Sequence, residues 1–267
     1  MCIRDRLEAN GFLDAAREPS LGLVTAAAMV YELSRLPVTV EAAASSMLRP
    51  LFAPDLPRPL AVITGDAPGA VRFLPQARAV LAVRGDGVYA ATLRDGDAAP
   101  VDSLFAYPMG ALAEGEPDWQ PVHADPQAVL DVWRAAIAAE IAGSLQGGLD
   151  AVVAHVKERH QFRRPIGSFQ AVQHRLATCA AMVEGARWLA LRAAQRLDTA
   201  DAALAAGYAQ GVATQVVYDL HQFMGAMGLT LEHPLHRWTY RVRLLRSELG
   251  GAEQHFCTAA ERLWASA

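Results

Sequence analysis

The stretch AVLDVWRAAIAAEIAGSLQGGLDAVVAHVKERHQFRRPIGSFQ, residues 128–170, decides how this chain is read. Trp133, Ile137, Ile141, Leu145 and Leu149 recur every fourth residue, and Val152, Val153 and Val156 continue the run. That spacing puts one apolar stripe along a helix. It predicts a helix to about Gln161, roughly 50 Å long at about 1.5 Å per residue. Pro165 and Gly167 then end it, because a proline ring removes a donor and clashes with the preceding turn. Lys157, Arg159, Arg163, Arg164 and Arg175 crowd this break, with Arg134 further back, although the chain's net charge is −4.

Downstream, Ser168 is a candidate N-cap for a helix over about 169–196. A third helix runs over about 199–224, capped near Thr199. Pro234 suits the first position of a fourth, about 234–248, closed by Gly250-Gly251. A short last helix carries Phe256, Ala260 and Leu263. Long helices in series with short connections predict an antiparallel four-helix bundle. Upstream, residues 1–57 read as helical pieces, with Val24, Met29, Leu33 and Leu36 on one side, until prolines from Pro37 onward punctuate the chain. Residues 58–120 hold short β-prone runs (LAVIT, AVLAVRG, GVYAATLRDG, SLFAYPMG) separated by Gly, Asp and Pro. They predict a small antiparallel β-domain with turns such as Gly85-Asp86-Gly87. The organisation expected is a truncated N-terminal helical region over 1–57, a small β-domain over 58–120 and a bundle over 121–267.

Composition excludes several classes. Hydrophobic residues make up 52%, Ala foremost, and Ala favours helix because it loses no side-chain entropy there. No basic run is long enough to follow a phosphate backbone, so nucleic acid is not an expected partner. Cys2, Cys179 and Cys257 are far apart and form no CxxC, which argues for a reducing, cytoplasmic setting and no zinc site. The longest apolar run, about Leu21 to Tyr31, is too short to span a bilayer. The opening MCIRDRLEANGF lacks the apolar core of a signal peptide and reads as mid-domain sequence, so the natural start is expected to be missing or altered.

Glu-x-x-His pairs, HExxH, GxSxG, a Walker loop and GxGxxG are all absent. What remains is Arg159-His160-Gln161-Phe162-Arg163-Arg164-Pro165-Ile166-Gly167-Ser168-Phe169-Gln170 and, later, Gln222-Phe223-Met224-Gly225-Ala226-Met227-Gly228 followed by Glu232-His233-Pro234. Together these resemble the R-x-x-F-G-x-x-I-G-x-F-Q, Q-x-x-G-[GA]-x-G and E-[HY]-P stretches of the acyl-CoA dehydrogenase family. The resemblance covers 128–250 well and 20–120 weakly. It implies a mainly α fold: that family's C-terminal four-helix bundle, a small antiparallel β-domain and a truncated N-terminal helical segment.

The resemblance also implies roles. FAD is the cofactor, shared across a subunit interface, with Arg159 on its pyrophosphate and Gln170 adding a hydrogen bond. A planar guanidinium is the preferred partner of phosphate oxygens, and a helix start after a Pro-Gly break offers free N–H groups. Phe162, Gln222, Gly225 and Ala226 belong to the same FAD contacts. Arg134 falls near the adenine end of CoA. The implied reaction is α,β-dehydrogenation of an acyl-CoA thioester in lipid metabolism. Its partners are a related subunit, in a homo- or hetero-oligomer, and an electron-transfer flavoprotein as acceptor.

The chain departs from the family in two places. Gap-free counting puts Leu249 where the family's catalytic glutamate stands, so the base is either Glu248, displaced by one residue, or absent. The alternative glutamate position on the first bundle helix is Trp133. No T-E-P-x-x-G-S-D or W-x-[ST]-N stretch, which in the family holds the flavin ring, is found in 60–120; ITGDAPGAV is the nearest. Two readings stay open: an FAD-dependent acyl-CoA dehydrogenase with Glu248 as base, or a non-catalytic partner subunit lending FAD contacts in trans. A plain helical interaction module fits the composition too. No metal site is expected, and His155, His160, His174 and His221 read as polar surface or core groups.

Overall fold

The computed structural model describes residues 3–66, 69–113 and 117–264; Cys2 lies outside them. The N-terminal part holds α1 (Ile3–Ala9), α2 (Gly22–Ser34) and the single turn α3 (Arg49–Phe52). The long helices follow: α4 (Pro126–Glu158), α5 (Gln170–Arg196), α6 (Thr199–Met224), α7 (Leu235–Leu245) and α8 (Gly251–Trp264).

α4 organises the molecule. Asp125 caps it by accepting the Gln127 N–H, and Pro126 takes a first-turn position where its missing donor costs nothing. The expected stripe from Trp133 to Leu149 is buried. So are the alanines and glycines between its members, because α2, α5, α6 and α7 surround the helix. The glycines set the closest approach: a Cβ on Gly143 would sit 2.1 Å from the Tyr31 carbonyl oxygen, and one on Gly147 2.4 Å from that of Arg35. The end of α2 therefore lies on a groove in α4 that only Gly leaves open. Buried Arg241 of α7 fastens the same corner, donating Nη2 to the carbonyls of Ser34 and Leu36 at 2.9 Å each.

The β region forms two small sheets. In the first, β1 (Leu60–Thr64), β3 (Ala79–Arg84), β4 (Gly87–Thr92) and β7 (Gln120–Val122) lie in the order β1-β3-β4-β7. In the second, β2 (Val71–Arg72), β5 (Ala98–Val101) and β6 (Met109–Leu112) lie in the order β2-β6-β5. A two-stranded hairpin, β8 (His160–Gln161) and β9 (Arg164–Pro165), follows α4. The Gly85-Asp86 turn joins β3 and β4 as the sequence predicts.

Several local expectations shift. One pair is not antiparallel: β1 runs parallel to β3, Leu60 opposite Ala79, because the chain crosses back through β2 before pairing. Ser168 does not cap α5; its hydroxyl donates to the Pro165 carbonyl within a 3₁₀ turn, and the helix begins at Gln170. α6 is capped by Asp198, which accepts the N–H groups of Ala200 and Asp201. α7 stops at Leu245, so Glu248 lies on a separate 3₁₀ turn, Glu248–Gly250.

Two glycine substitutions test this packing by opposite signs. Gly143→Ala is expected to lower unfolding stability by about 3 kcal/mol, the upper range for overpacking. Gly211→Ala, inside α6 with no atom nearer than 3.8 Å to its Cβ, is expected to gain roughly 0.5 kcal/mol. Urea unfolding midpoints read both.

Candidate functional site

The predicted residues fall in two places. The first is one end of the bundle. α5 and α6 run antiparallel, and the ion pair between Arg175 and buried Asp219 ties the start of one to the end of the other. That brings Gln170, Gln222 and the turn at Gly225-Ala226 to the end where α4 finishes at Arg159. Arg159, Gln170 and Gln222 are exposed, and their side chains have no partner among the described residues. Gly225 adopts φ 63 with nothing within 4 Å of a Cβ, which leaves its backbone open to approach. The β8–β9 hairpin turns through Phe162 (φ 52) and Arg163 (φ 66), and Phe162 is 86% exposed. Arg164 stacks on Phe169, 3.9 Å from the ring centre.

Arg134 is not at that end. It is buried near the start of α4, donating Nη1 to Asp131 at 2.6 Å, and Asp131 also accepts the Thr199 hydroxyl. The Arg134 Nε is buried without a partner.

The second place is a cleft between sheet and bundle, where Glu248 lies. Buried Arg72, from β2, donates Nε to Glu248 at 2.6 Å and Nη1 to Glu140 of α4 at 2.8 Å. The Tyr107 hydroxyl donates to the other Glu140 oxygen at 2.7 Å. The guanidinium also lies 4.8 Å from the Trp133 ring centre and 5.3 Å from that of Tyr107. One cation thus joins β2, α4 and the turn after α7. Burial alone would lower the Arg72 pKa, but Glu140 and Glu248 hold it well above its ordinary value. Burial pushes the Glu248 carboxyl up, and Arg72 opposes that only in part. Burial first, then the Glu140 charge, pushes the Tyr107 hydroxyl well above 10.

Leu249 adopts φ 55 and stands between two cavities. A cavity of about 170 Å³ holds Arg72, Trp133 and Glu248; a shallower one of about 360 Å³ holds Arg84, Gly85 and Leu130. Thr64 and Leu249 line both. His255 on α8 is fully buried; burial, helped by the Arg134 charge and opposed by the Glu248 backbone, pushes it down to about 4. No cluster of metal-ligating side chains occurs among the described residues, and no helix there is long and apolar enough to cross a membrane.

Sequence reasoning missed Arg72, Glu140 and Tyr107. The one signal was Glu140 itself, a carboxylate in the Ala-rich middle of a helix that the stripe already buried. It also set aside ITGDAPGAV, yet Thr64 and Gly69, Ala70 and Val71 from that stretch line the smaller cavity.

The profile described as "Acyl-CoA dehydrogenase, C-terminal domain" matches residues 125–264, just over half of the chain. The curated protein "Acyl-CoA dehydrogenase FadE34" of Mycobacterium tuberculosis is 32% identical over 199 residues, 71% of this chain and 27% of that protein. The "Short-chain specific acyl-CoA dehydrogenase, mitochondrial" of Rattus norvegicus is 33% identical over 129 residues, 46% of this chain and 31% of its own length. The chain therefore spans about a third or less of these curated relatives. The ChsE4-ChsE5 complex from Mycobacterium tuberculosis superposes with a TM-score of 0.81 at 22% identity, covering 97% of this chain and 86% of the other.

Two substitutions test the cleft's electrostatics. Arg72→Met leaves two buried carboxylates without their cation and is expected to cost about 3–5 kcal/mol at neutral pH, with part recovered in acid as the carboxyls protonate. The pH response of the parent has two opposed parts. Glu248 titrates above its ordinary 4.5, so its support for the fold is full below 4.5 and is lost as pH rises through the folded value. His255, lowered from 6.5 to about 4, supports the fold above 6.5 and loses that support as pH falls to about 4. His255→Gln is expected to remove roughly 3 kcal/mol of acid sensitivity across that window, read from urea unfolding at both ends.

Proposed function

The chain belongs to the acyl-CoA dehydrogenase family, and on that premise we propose that it is a partner subunit that grips FAD held mainly by a related chain. The assembly carries out FAD-dependent α,β-dehydrogenation of an acyl-CoA thioester and passes electrons to an electron-transfer flavoprotein, in the cytoplasm. Arg159, Gln170 and Gln222 contact the dinucleotide from across the interface, with Phe162, Gly225 and Ala226 beside them.

Residue fit supports this division. At the bundle end a guanidinium and two carboxamides are exposed without partners, beside an open glycine turn, which suits a pyrophosphate and adenosine. In the chain's own cleft the residues do not fit a flavin ring with an acyl thioester. The cavity at Glu248 is about 170 Å³, below the roughly 300 Å³ at which ligand sites for such molecules begin. The carrying observation is that Arg72, in the cavity wall, holds Glu248 there while its other arm is held by buried Glu140 of α4. To act as a base Glu248 would first have to release Arg72, whose Nε–H it accepts at 2.6 Å. That a solved neighbour is a complex of two differently named chains agrees with the reading.

A second reading has one observation in its favour. Glu248 does line the cavity, and burial raises its carboxyl, as a general base in a dry pocket requires. In that reading Glu248 leaves Arg72 to take the substrate's α-proton, and Arg134 leaves Asp131 to meet CoA.

Co-expression with a related dehydrogenase subunit separates the two. The partner reading expects activity and bound flavin in the mixture, full activity with Glu248→Gln, and at least tenfold weaker FAD retention with Arg159→Ala. Loss of activity with Glu248→Gln at unchanged flavin content favours the second reading. Flavin retention indifferent to Arg159→Ala overturns the first.

A further inference from the structure

Between α6 and α7, on the bundle's flank, lies a groove of about 400 Å³ that neither reading uses. Its walls are single faces of the two helices: Thr214, Val217, Tyr218 and His221 recur at helical spacing on α6, and Thr239, Val242 and Arg243 on α7, with Arg246 just past its end. The helices run antiparallel here. Gln210 of α6 donates to the Leu245 carbonyl at one end, and His221 meets the Thr239 hydroxyl at 3.1 Å at the other.

That register polarises the groove. Tyr218 and Tyr240 fall in the half near His221, over a floor of Val217 and Val242. Tyr218 is 60% and Tyr240 37% exposed. Tyr240 touches His236 edge-on, and Arg175 lies 5.9 Å from the Tyr218 ring centre, which biases both rings toward fixed positions. Arg243 and Arg246 fall in the other half, beside the Thr214 hydroxyl. Both are exposed, and neither has an ion-pair partner among the described residues. No Asp or Glu lines the groove. The nearby Arg175 already has Asp219 as its counter-ion.

An aromatic end, an apolar floor and a cationic end call for a bipolar ligand: a planar ring joined to an anion. From Thr214 to His221 is seven residues of helix, about 10 Å at 1.5 Å per residue, the span of one nucleotide. The volume suits a single small molecule rather than a docked helix. Aromatic side chains stack on bases, and arginines take phosphate oxygens as forked donors. We propose that the α6–α7 groove binds a mononucleotide, its base against Tyr218 and Tyr240 and its phosphate against Arg243 and Arg246.

The test is equilibrium binding of AMP to the intact chain by titration calorimetry, with adenosine and inorganic phosphate as partial probes. Saturable AMP binding is expected, with each partial probe at least tenfold weaker. Tyr218→Ala and Arg246→Glu should each weaken AMP at least tenfold, while Tyr218→Phe should retain it. Both positions are exposed, and circular dichroism checks that the variants fold. Arg159→Ala, outside the groove's lining, should leave AMP binding unchanged, which separates this site from the proposed FAD contacts. No saturation by AMP overturns the proposal. So does phosphate binding as tightly as AMP, or AMP binding that falls with Arg159→Ala and ignores the groove variants.

Discussion

One buried guanidinium governs the relation between sheet and bundle. Arg72 comes from a two-residue strand, yet it reaches Glu140 on the central helix and Glu248 on the turn after α7. Burying it costs several kcal/mol of hydration, and the two carboxylates, with Tyr107 and Trp133 around them, offset that cost. The same contact fixes chemistry. Glu248 is engaged by Arg72 at 2.6 Å, and the cavity beside the pair is about 170 Å³.

The other end of the bundle has the opposite character. Arg159, Gln170 and Gln222 are brought together by helix ends and then left without partners. Hydrated polar side chains gain little by remaining unpaired on a surface, so such a set is meaningful only with its spacing and an open glycine turn beside it. Satisfied charges inside and unpaired polar groups outside are the contrast on which the partner-subunit proposal rests. The close crossing of α2 over Gly143 and Gly147 holds the middle of α4, the helix that runs from the Arg134 region to the Arg159 end.

The long elements were legible in the sequence because they rest on periodicity. The stripe from Trp133 to Leu149 fixes α4, which ends at Glu158 ahead of the Pro165 break, whereas α7 ends at Leu245, short of the Gly250-Gly251 pair. Helix caps were legible only to within a residue or two: Ser168 and Thr199 each carry the right hydroxyl, but the chain path gives the role to no side chain in one case and to Asp198 in the other. The parallel β1–β3 pair was hidden, because pairing partners are set by a crossover rather than by the local pattern. At the site, the exposed motif residues were legible by resemblance alone. The Arg72 contact was not, since its members stand at residues 72, 107, 140 and 248 and nothing local links them.

The most direct measurement is an experimental structure of the chain with its partner and bound FAD. This account predicts Arg159, Gln170 and Gln222 within hydrogen-bonding distance of a dinucleotide seated mainly on the other chain, with Arg72 still joined to Glu248. A flavin ring lying in this chain's own cleft against Glu248, with Arg72 turned away, would contradict it.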